Sequence, residues 1–529
     1  MNSRIRPRLP VLWVVGVPLL VRCAMERVSY IAAALAIVLV VPIPVDAAPF
    51  TIGANFTGTD LTALATAFPG YECCIPPDTM GAVGPNHIGE ILNTSFAVYD
   101  KTGVLQTRVK LPDFWSNAFA NAGTVATIRG PFDPRLLYDP SSSRWFAVSA
   151  DMELSSRAGS QLFVGVTMGS DPSLPNWRGF VIDADSNNTH WTDFPTIGLD
   201  NTALYISNNM FRVSNDAFDK VTLVGVPKSS LTAAAPSIAG FRKEEEFIWT
   251  YAGFRMQPAV DLDGGSSPLE TIGPISDSHI RRSMIPADWI TGASNFLPGN
   301  LLAYPQSTPP LAHQPGPDDN IHTGGSSAFS ANVVKQNGSL WAVNPTNVGG
   351  RAAISFLEMD GTSATPSIRQ KITLSDPSLD LYYPSVAVNE RGDVVIGFSG
   401  SDDNTPISTY AVVGTTTNGV TAFGPITQTH AGTGEYLIFL DQYGRNRWGD
   451  YSATVLDPSK PRTFWTFQEY VNGDMAVEPF FDNWAIRVTE ITIVPEPSGW
   501  CLGALLGIVF LQRRQKTLEQ TRFSRSMAI

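Results

Sequence analysis

Acidic, basic and phenolic side chains recur at the heads of short apolar runs in this 529-residue chain: Asp78, Asp133 with Arg135, Asp193, Gln257 with Arg255, Tyr382 and Tyr383, and Arg447 with Asp450 and Tyr451. Brought to one place, such carboxylates, guanidiniums and phenols can hold a cation or a sugar, and paired carboxyl groups can supply the acid and base of glycoside cleavage. The same residue types also cap strand ends and form ion pairs, and Asp or Tyr beside a turn commonly serves the backbone. Carboxylates near arginine are expected to stay ionised, which suits a ligand acceptor better than a proton donor.

Other chemistries have less to work with. Asp261-Leu-Asp263-Gly264, Asp318-Asp319-Asn320 and Asp402-Asp403-Asn404 offer oxygen ligands that suit Ca²⁺, but none continues into the spaced acidic loop of an EF-hand. No metal site is assigned, and Ca²⁺ stays open only as a loop ligand. The six histidines are dispersed, and only His313 and His322 share a loop, too little for zinc. No Gly-x-Ser-x-Gly occurs, so no nucleophilic triad and no catalytic residue is assigned. Trp145, Trp341 and Trp465 fall in second strands, where core packing is expected; Trp191, Trp448 and Trp484 are further aromatic candidates for stacking on sugars.

The elements that must position these side chains are read from a repeat. A starter residue, often followed by Pro or a small residue, leads an alternating apolar run, a turn residue six positions on, and a second apolar strand. Phe194-Pro-Thr-Ile-Gly-Leu-Asp, Tyr383-Pro-Ser-Val-Ala-Val-Asn and Tyr451-Ser-Ala-Thr-Val-Leu-Asp show it best; Asp133 and Gln257 begin close copies, Asp78 and Phe329 looser ones. Alternation and turn chemistry make each unit a β-hairpin. The seven turn residues, Gly84, Asp139, Asp200, Asp263, Lys335, Asn389 and Asp457, are spaced by about 62 residues on average. That is somewhat more than a four-stranded propeller blade needs, and the excess belongs in loops. Further runs starting at Gln161, Lys220, Ala352 and Tyr410 supply outer strands. The expected fold is therefore all-β, a seven-bladed β-propeller, because radial repetition covers both faces of each small sheet. Two stacked β-sandwiches are the alternative. Segments 112–123 and 286–296 read as short surface helices, and 300–327 as a long loop on one face.

The hairpins are similar to those of many propeller families without selecting one. The Asp-box of the sialidase-like group, Ser-x-Asp-x-Gly-x-Thr-Trp, is absent, as are an Arg-Ile-Pro near the mature N-terminus and the Trp-Asp dipeptide.

The two ends carry addresses. An apolar stretch over 28–45 follows Arg27 and precedes Asp46-Ala47, which reads as a secretory signal over 1–47. A second apolar stretch upstream, 9–21, makes Met25 the suspected true start. At the C-terminus Pro495-Glu496-Pro497 is followed by the apolar segment 499–511 and a basic cluster with Arg513 and Arg514. This tripartite tail, over 491–529, resembles the PEP-CTERM sorting signal of Gram-negative bacteria. The resemblance implies processing by an exosortase, transient anchoring in the inner membrane through the tail, and delivery to the cell surface or extracellular matrix. A plain C-terminal membrane anchor implies almost the same topology. Between the ends lie an N-terminal extension, 48–77, and the propeller body, 78–490.

With 1–47 and 498–529 removed, the chain holds 26 basic and 45 acidic residues, a net charge of about −19 that repels phosphate backbones and excludes nucleic acid as a partner. Its only cysteines are the adjacent Cys73 and Cys74, which in an oxidising compartment form a vicinal disulfide or bond to another chain. Two functions follow: an exported surface or matrix scaffold that displays a binding face, favoured by the sorting tail, or a secreted carbohydrate-active hydrolase with its site at the channel mouth. Extracellular polysaccharide is the expected partner of either. The tail yields a direct test: replacing Pro495, Glu496 and Pro497 with Ala is expected to abolish C-terminal trimming, and an intact mass that shows equal trimming in both proteins refutes the sorting assignment.

Overall fold

The computed structural model describes residues 48–494, apart from 72–75, 154, 266–267, 317–320, 438–440, 442–443 and 475–481. The signal segment, Cys73 and Cys74, the Asp318-Asp319-Asn320 loop and the Pro-Glu-Pro tail lie outside the described residues. Among these residues no helix is long and apolar enough to cross a membrane.

Alternating sequences become strands throughout. Each hairpin signature supplies the first strand of a four-stranded antiparallel meander: Met80–Val83, Pro131–Asp139, His190–Leu199, Gln257–Asp261, Val333–Gln336, Asp380–Val388 and Ala453–Leu456 lead seven such sheets among the described residues. These first strands lie side by side. Gln257–Asp261 pairs in parallel with His190–Leu199 on one side and with Val333–Gln336 on the other. Contacts between first strands continue around a ring, from the sixth sheet to the seventh and from the seventh back to the first. This is the radial arrangement of a β-propeller, which two face-packed sandwiches do not produce. The runs expected as outer strands, Gln161–Thr167, Phe218–Pro227, Arg351–Asp360 and Thr405–Thr417, are the third strands of their sheets.

Two segments differ from their sequence reading. Phe50–Asp60, taken as part of an extension, is the outermost strand of the seventh sheet and pairs antiparallel with Asp482–Ile493. Its sequence alternates, with Phe50, Ile52, Ala54 and Phe56 at every second position, but it lies upstream of the first hairpin and has no hairpin partner next to it in the chain, so a search for hairpins passes over it. The 300–327 loop does not stay on the surface. Ala312, Ile321 and His322 are buried, and Ile321 bridges to Asn446 of the loop before the last hairpin.

Helix Leu111–Ala122 forms as expected, with Pro112 in its first turn and Gly123 closing it at φ 69°. Its apolar side is inside: Trp115 donates to Ser149 Oγ at 3.0 Å, and Phe119 meets Phe163 edge-on. The segment around 286–296 contributes only the 3₁₀ turn Trp289–Thr291, with Trp289 buried. Trp145, Trp341 and Trp465 are core residues, and the Trp465 indole donates to Asp457. Trp448 and Trp484 are buried as well, and Trp191 stacks on Phe211.

The turn acids tie hairpins at the face opposite the starters. Asp200 accepts the amides of Thr202 and Ala203 through Oδ1, while its buried Oδ2 has no partner. Burial pushes its acidity up to about 6, with the Asp261 charge acting the same way. A carboxyl raised in the folded state contributes stability that is present below its ordinary value near 4 and lost as pH rises through about 6. Asp200→Asn keeps the amide acceptor and removes the buried charge. Its melting temperature is expected to exceed wild type by several degrees at pH 7.5 and to match it at pH 4, a gain on the order of 1–3 kcal/mol; equal melting at both values refutes this.

Candidate functional site at the axial mouth

Five starter positions share an uncommon backbone. Asp78, Asp133, Phe194, Arg255 and Tyr383 all have φ between 49° and 53°, the left-handed region that non-glycine residues rarely occupy. In the second, third and sixth sheets the ladder shifts register around this residue. The distortion turns the chain so that the heads of the first strands meet at one mouth of the axis.

Side chains from neighbouring sheets fix this geometry. Asn93 donates to Asp78 Oδ2 at 2.7 Å and accepts the Asp133 amide at 2.7 Å. Asp133 Oδ2 accepts the Phe194 amide at 2.8 Å, and Asn209 accepts the Arg255 amide at 3.0 Å. The bonds to the Asp133, Phe194 and Arg255 amides each satisfy an amide that the left-handed residue takes out of the ladder. Aromatic rings line the same place. The Arg135 guanidinium lies 3.5 Å from the Tyr451 ring centre and 4.9 Å from that of Phe194, Arg255 lies 4.1 Å from Phe194, and Phe194 meets Tyr451 edge-on.

The mouth thus gathers Asp78, Asp133, Arg135, Asp193, Arg255, Tyr383, Arg447, Asp450 and Tyr451 of the candidates named from the sequence. Asp78, Asp133, Arg135, Tyr383 and Tyr451 are buried, while Asp193, Arg255, Arg447 and Asp450 are partly exposed. Gln257 and Tyr382 point elsewhere: the Gln257 amide donates to the Phe329 carbonyl, and the Tyr382 hydroxyl bonds Ser401. Three neighbours escaped the sequence reading. His322 bonds the Tyr383 hydroxyl at 3.1 Å, Ser330 accepts from both Arg135 and Arg255, and Glu469 is buried beside Asp78. His322 comes from a loop with no hairpin pattern, so no local signal marked it, whereas Ser330 follows the starter Phe329 and was passed over as a small residue. Asn93, in the turn just past its second strand, and Asn209, late in its own, carried no local signal of their role.

The charge states divide. Burial, then the charges of Asp450 and Asp133, push Asp78 well above the usual carboxylate range. Burial, followed by the same two neighbours in reverse order, Asp133 and then Asp450, does likewise for Asp193. Burial, then the charge of Asp450, also raises Asp133, against the Arg135 guanidinium. Asp450 goes the other way: burial opposes ionisation, but Arg447, Arg255 and His322 together hold its pKa below the ordinary value. Arg447 donates to Asp450 Oδ2 at 3.0 Å. Burial lowers His322 to about 4, leaving it neutral at physiological pH. Of Asp133, Asp193 and Asp450, expected to stay ionised, only Asp450 shifts that way, because the arginines reach it while burial governs the others.

A cavity of about 300 Å³ opens at the opposite end of the axis, lined by Val83, Leu137, Val260, Val334, Val455 and others. It is mainly apolar and holds none of the starter residues. Among the described residues no group of three or more His, Cys, Asp or Glu is arranged to hold a metal ion. Asp263, one of the loop acids, is occupied by Gln336 and the amides of Asn337 and Gly338.

No family model and no curated protein matches this chain. Among solved structures it is similar to Trypanosoma rangeli sialidase at 10% identity and TM-score 0.36, over 83% of this chain and 60% of that one. It is similar to phage phi92 endosialidase at 8% identity and TM-score 0.40, over 67% and 66%. It is also similar to an exo-1,5-alpha-L-arabinanase from a bovine ruminal metagenomic library at 8% and 0.31, over 66% and 97%. In a further match to the Trypanosoma sialidase the chain spans 56% of that protein's length. None of these likenesses carries an activity over to this chain.

Asp133 separates structure from function at the mouth. Asp133→Ala leaves the buried Phe194 amide without an acceptor and is expected to cost about 1–3 kcal/mol, whereas Asp133→Asn keeps the acceptor and most of the stability. Thermal melts of the two variants decide, and equal melting overturns the latch.

Proposed function

We propose that the protein is an exported, seven-bladed β-propeller that binds a glycan at the axial mouth and hydrolyses it, with Asp193 as proton donor and Asp450 as its ionised partner. The observation that supports this most is a pair of partly exposed carboxyl groups at one mouth whose acidities are driven in opposite directions. Asp193 then keeps a proton where an ordinary aspartate loses it, and Asp450 keeps a charge where burial alone would neutralise it.

The step balances with water as co-reactant. The Asp193 proton passes to the glycosidic oxygen as its bond to the anomeric carbon breaks. Water adds to that carbon and releases its proton to Asp450, whose charge also stabilises the positive sugar ring in the transition state. Arg447 holds Asp450 in place, and the rings of Tyr451, Tyr383 and Phe194 give the mouth a partly apolar wall. Export and surface delivery enter this reading through the two ends of the sequence, including its exosortase-like tail.

One observation favours the second reading, a binding scaffold without catalysis. Asp450 is already bonded to Arg447, and a cation so close weakens it as a base.

Reducing-end release from a polysaccharide panel distinguishes them. Activity is expected to fall as pH rises through the elevated Asp193 acidity and to fall again as pH drops through the depressed Asp450 acidity. Asp193→Asn and Asp450→Asn each lower the rate by about 100-fold or more with melting unchanged. Binding without hydrolysis by the wild-type protein, or full activity in Asp193→Asn, overturns the hydrolase.

A further inference from the structure

The far end of the axis holds a cavity of about 300 Å³ that shares no residue with the charged mouth. Six of the seven first strands give it a wall residue: Val83, Leu137, Val260, Val334, Ala387 and Val455. Four of these are valines, whose branched side chains have little rotamer freedom and cannot swing in to fill the space. Each valine also sits in a strand ladder, so the wall is fixed before anything enters. Val334 belongs to none of the apolar clusters packed between the sheets, which leaves its side chain to the cavity.

Polar residues of the lining are already engaged within the protein. Thr454 Oγ1 bonds Ser385 Oγ at 2.8 Å, Gln336 Nε2 donates to Asp263 at 3.0 Å, and Asp457 is held by Lys101 and the Trp465 indole. Asn332 Oδ1 has no partner but is itself buried, out of a guest's reach. Of the two carboxylates in the lining, Glu390 is exposed at the rim and, among the described residues, has no cation beside it. Tyr138 is the only aromatic ring. The cavity therefore offers a guest aliphatic surface and, at its opening, one negative charge.

We propose that this cavity binds one free, unbranched aliphatic chain of about ten carbons with an uncharged head. The size follows from comparison: a dry apolar cavity of about 150 Å³ takes benzene, and this one is about twice as large. Space for one such chain does not suit a bilayer lipid, which brings two longer ones. The chemistry follows from the walls. Each methylene moved from water onto them tightens binding about fourfold, whereas an aromatic guest finds a single ring to pack against. Glu390 repels an anionic head at the opening. Nothing in this assignment rests on the glycan reading of the opposite mouth.

Calorimetric titration of the full chain, in detergent-free buffer, with butanol, hexanol, octanol, decanol and dodecanol tests the proposal. Affinity is expected to rise about fourfold per methylene and to level off near decanol, where the cavity is full. Decanoate is expected to bind about fivefold more weakly than decanol at low salt, and the surface variant Glu390→Lys narrows that gap. Val334→Phe fills the space from its wall and is expected to abolish decanol binding while melting stays near wild type; the chain-length limit and Glu390→Lys decide the matter even where that variant fails to fold. Affinity that does not depend on chain length or rises unchecked to dodecanol, tighter binding of 2-naphthol than of octanol, equal binding of decanoate and decanol, or undiminished decanol binding in folded Val334→Phe overturns the assignment. Cosedimentation with phosphatidylcholine vesicles that Val334→Phe abolishes gives the cavity to a bilayer lipid instead and overturns a free ligand.

Discussion

First strands that lie side by side around one axis force their leading residues toward that axis. Most side chains can avoid the crowding by continuing the strand, but the left-handed residue at the head of five sheets bends the chain inward. Such a conformation costs on the order of 1 kcal/mol or more for a residue with a Cβ. It persists because a neighbouring sheet holds the amide it displaces: Asn93 for Asp133, Asp133 for Phe194, Asn209 for Arg255. Inter-sheet hydrogen bonds and backbone strain are thus one device, and the charged mouth is its product.

Burial then decides the chemistry. In water all these aspartates would be ionised and alike. Packed together with limited solvent, they differ according to which charges they face: Asp450 sees Arg447, Arg255 and His322, whereas Asp78 and Asp193 see mainly other carboxylates. One fold position repeated around a ring thereby yields groups of opposite behaviour. The cavity at the far mouth shows the contrast, since the first strands end there in valines and leucines that create no such differences.

The sevenfold hairpin pattern was legible because alternation, turn chemistry and spacing are local, and the starter residues were legible because they begin each copy. Their convergence was not local but followed from the repeat. What stayed hidden came from elsewhere in the chain. His322 arrives on an irregular loop, Glu469 sits within a second strand, and the raised pKa values of Asp78 and Asp133 depend on how the sheets bury them. The expectation that Asp133, Asp193 and Asp450 all stay ionised came from counting arginines, when the deciding quantity is how much water each carboxyl retains.

The seventh sheet connects fold and address. Its outer strand comes from the N-terminal side of the body and its third from the C-terminal side, with Phe50 opposite Ile493 and the Val494 amide donating to the Pro49 carbonyl at 2.8 Å. The ring therefore closes only when the last strand has met one of the first to be made, so its long-range pairing comes late and at an entropic cost that local hairpins do not bear. Both ends of the body lie at the same edge of the same sheet. The expected signal cleavage near Ala47 and the Pro495-Glu496-Pro497 site sit just outside the paired residues. Removal of either end would then spare every strand of the ring, which is the property a chain needs if it is to be trimmed at both ends and keep its mouth intact.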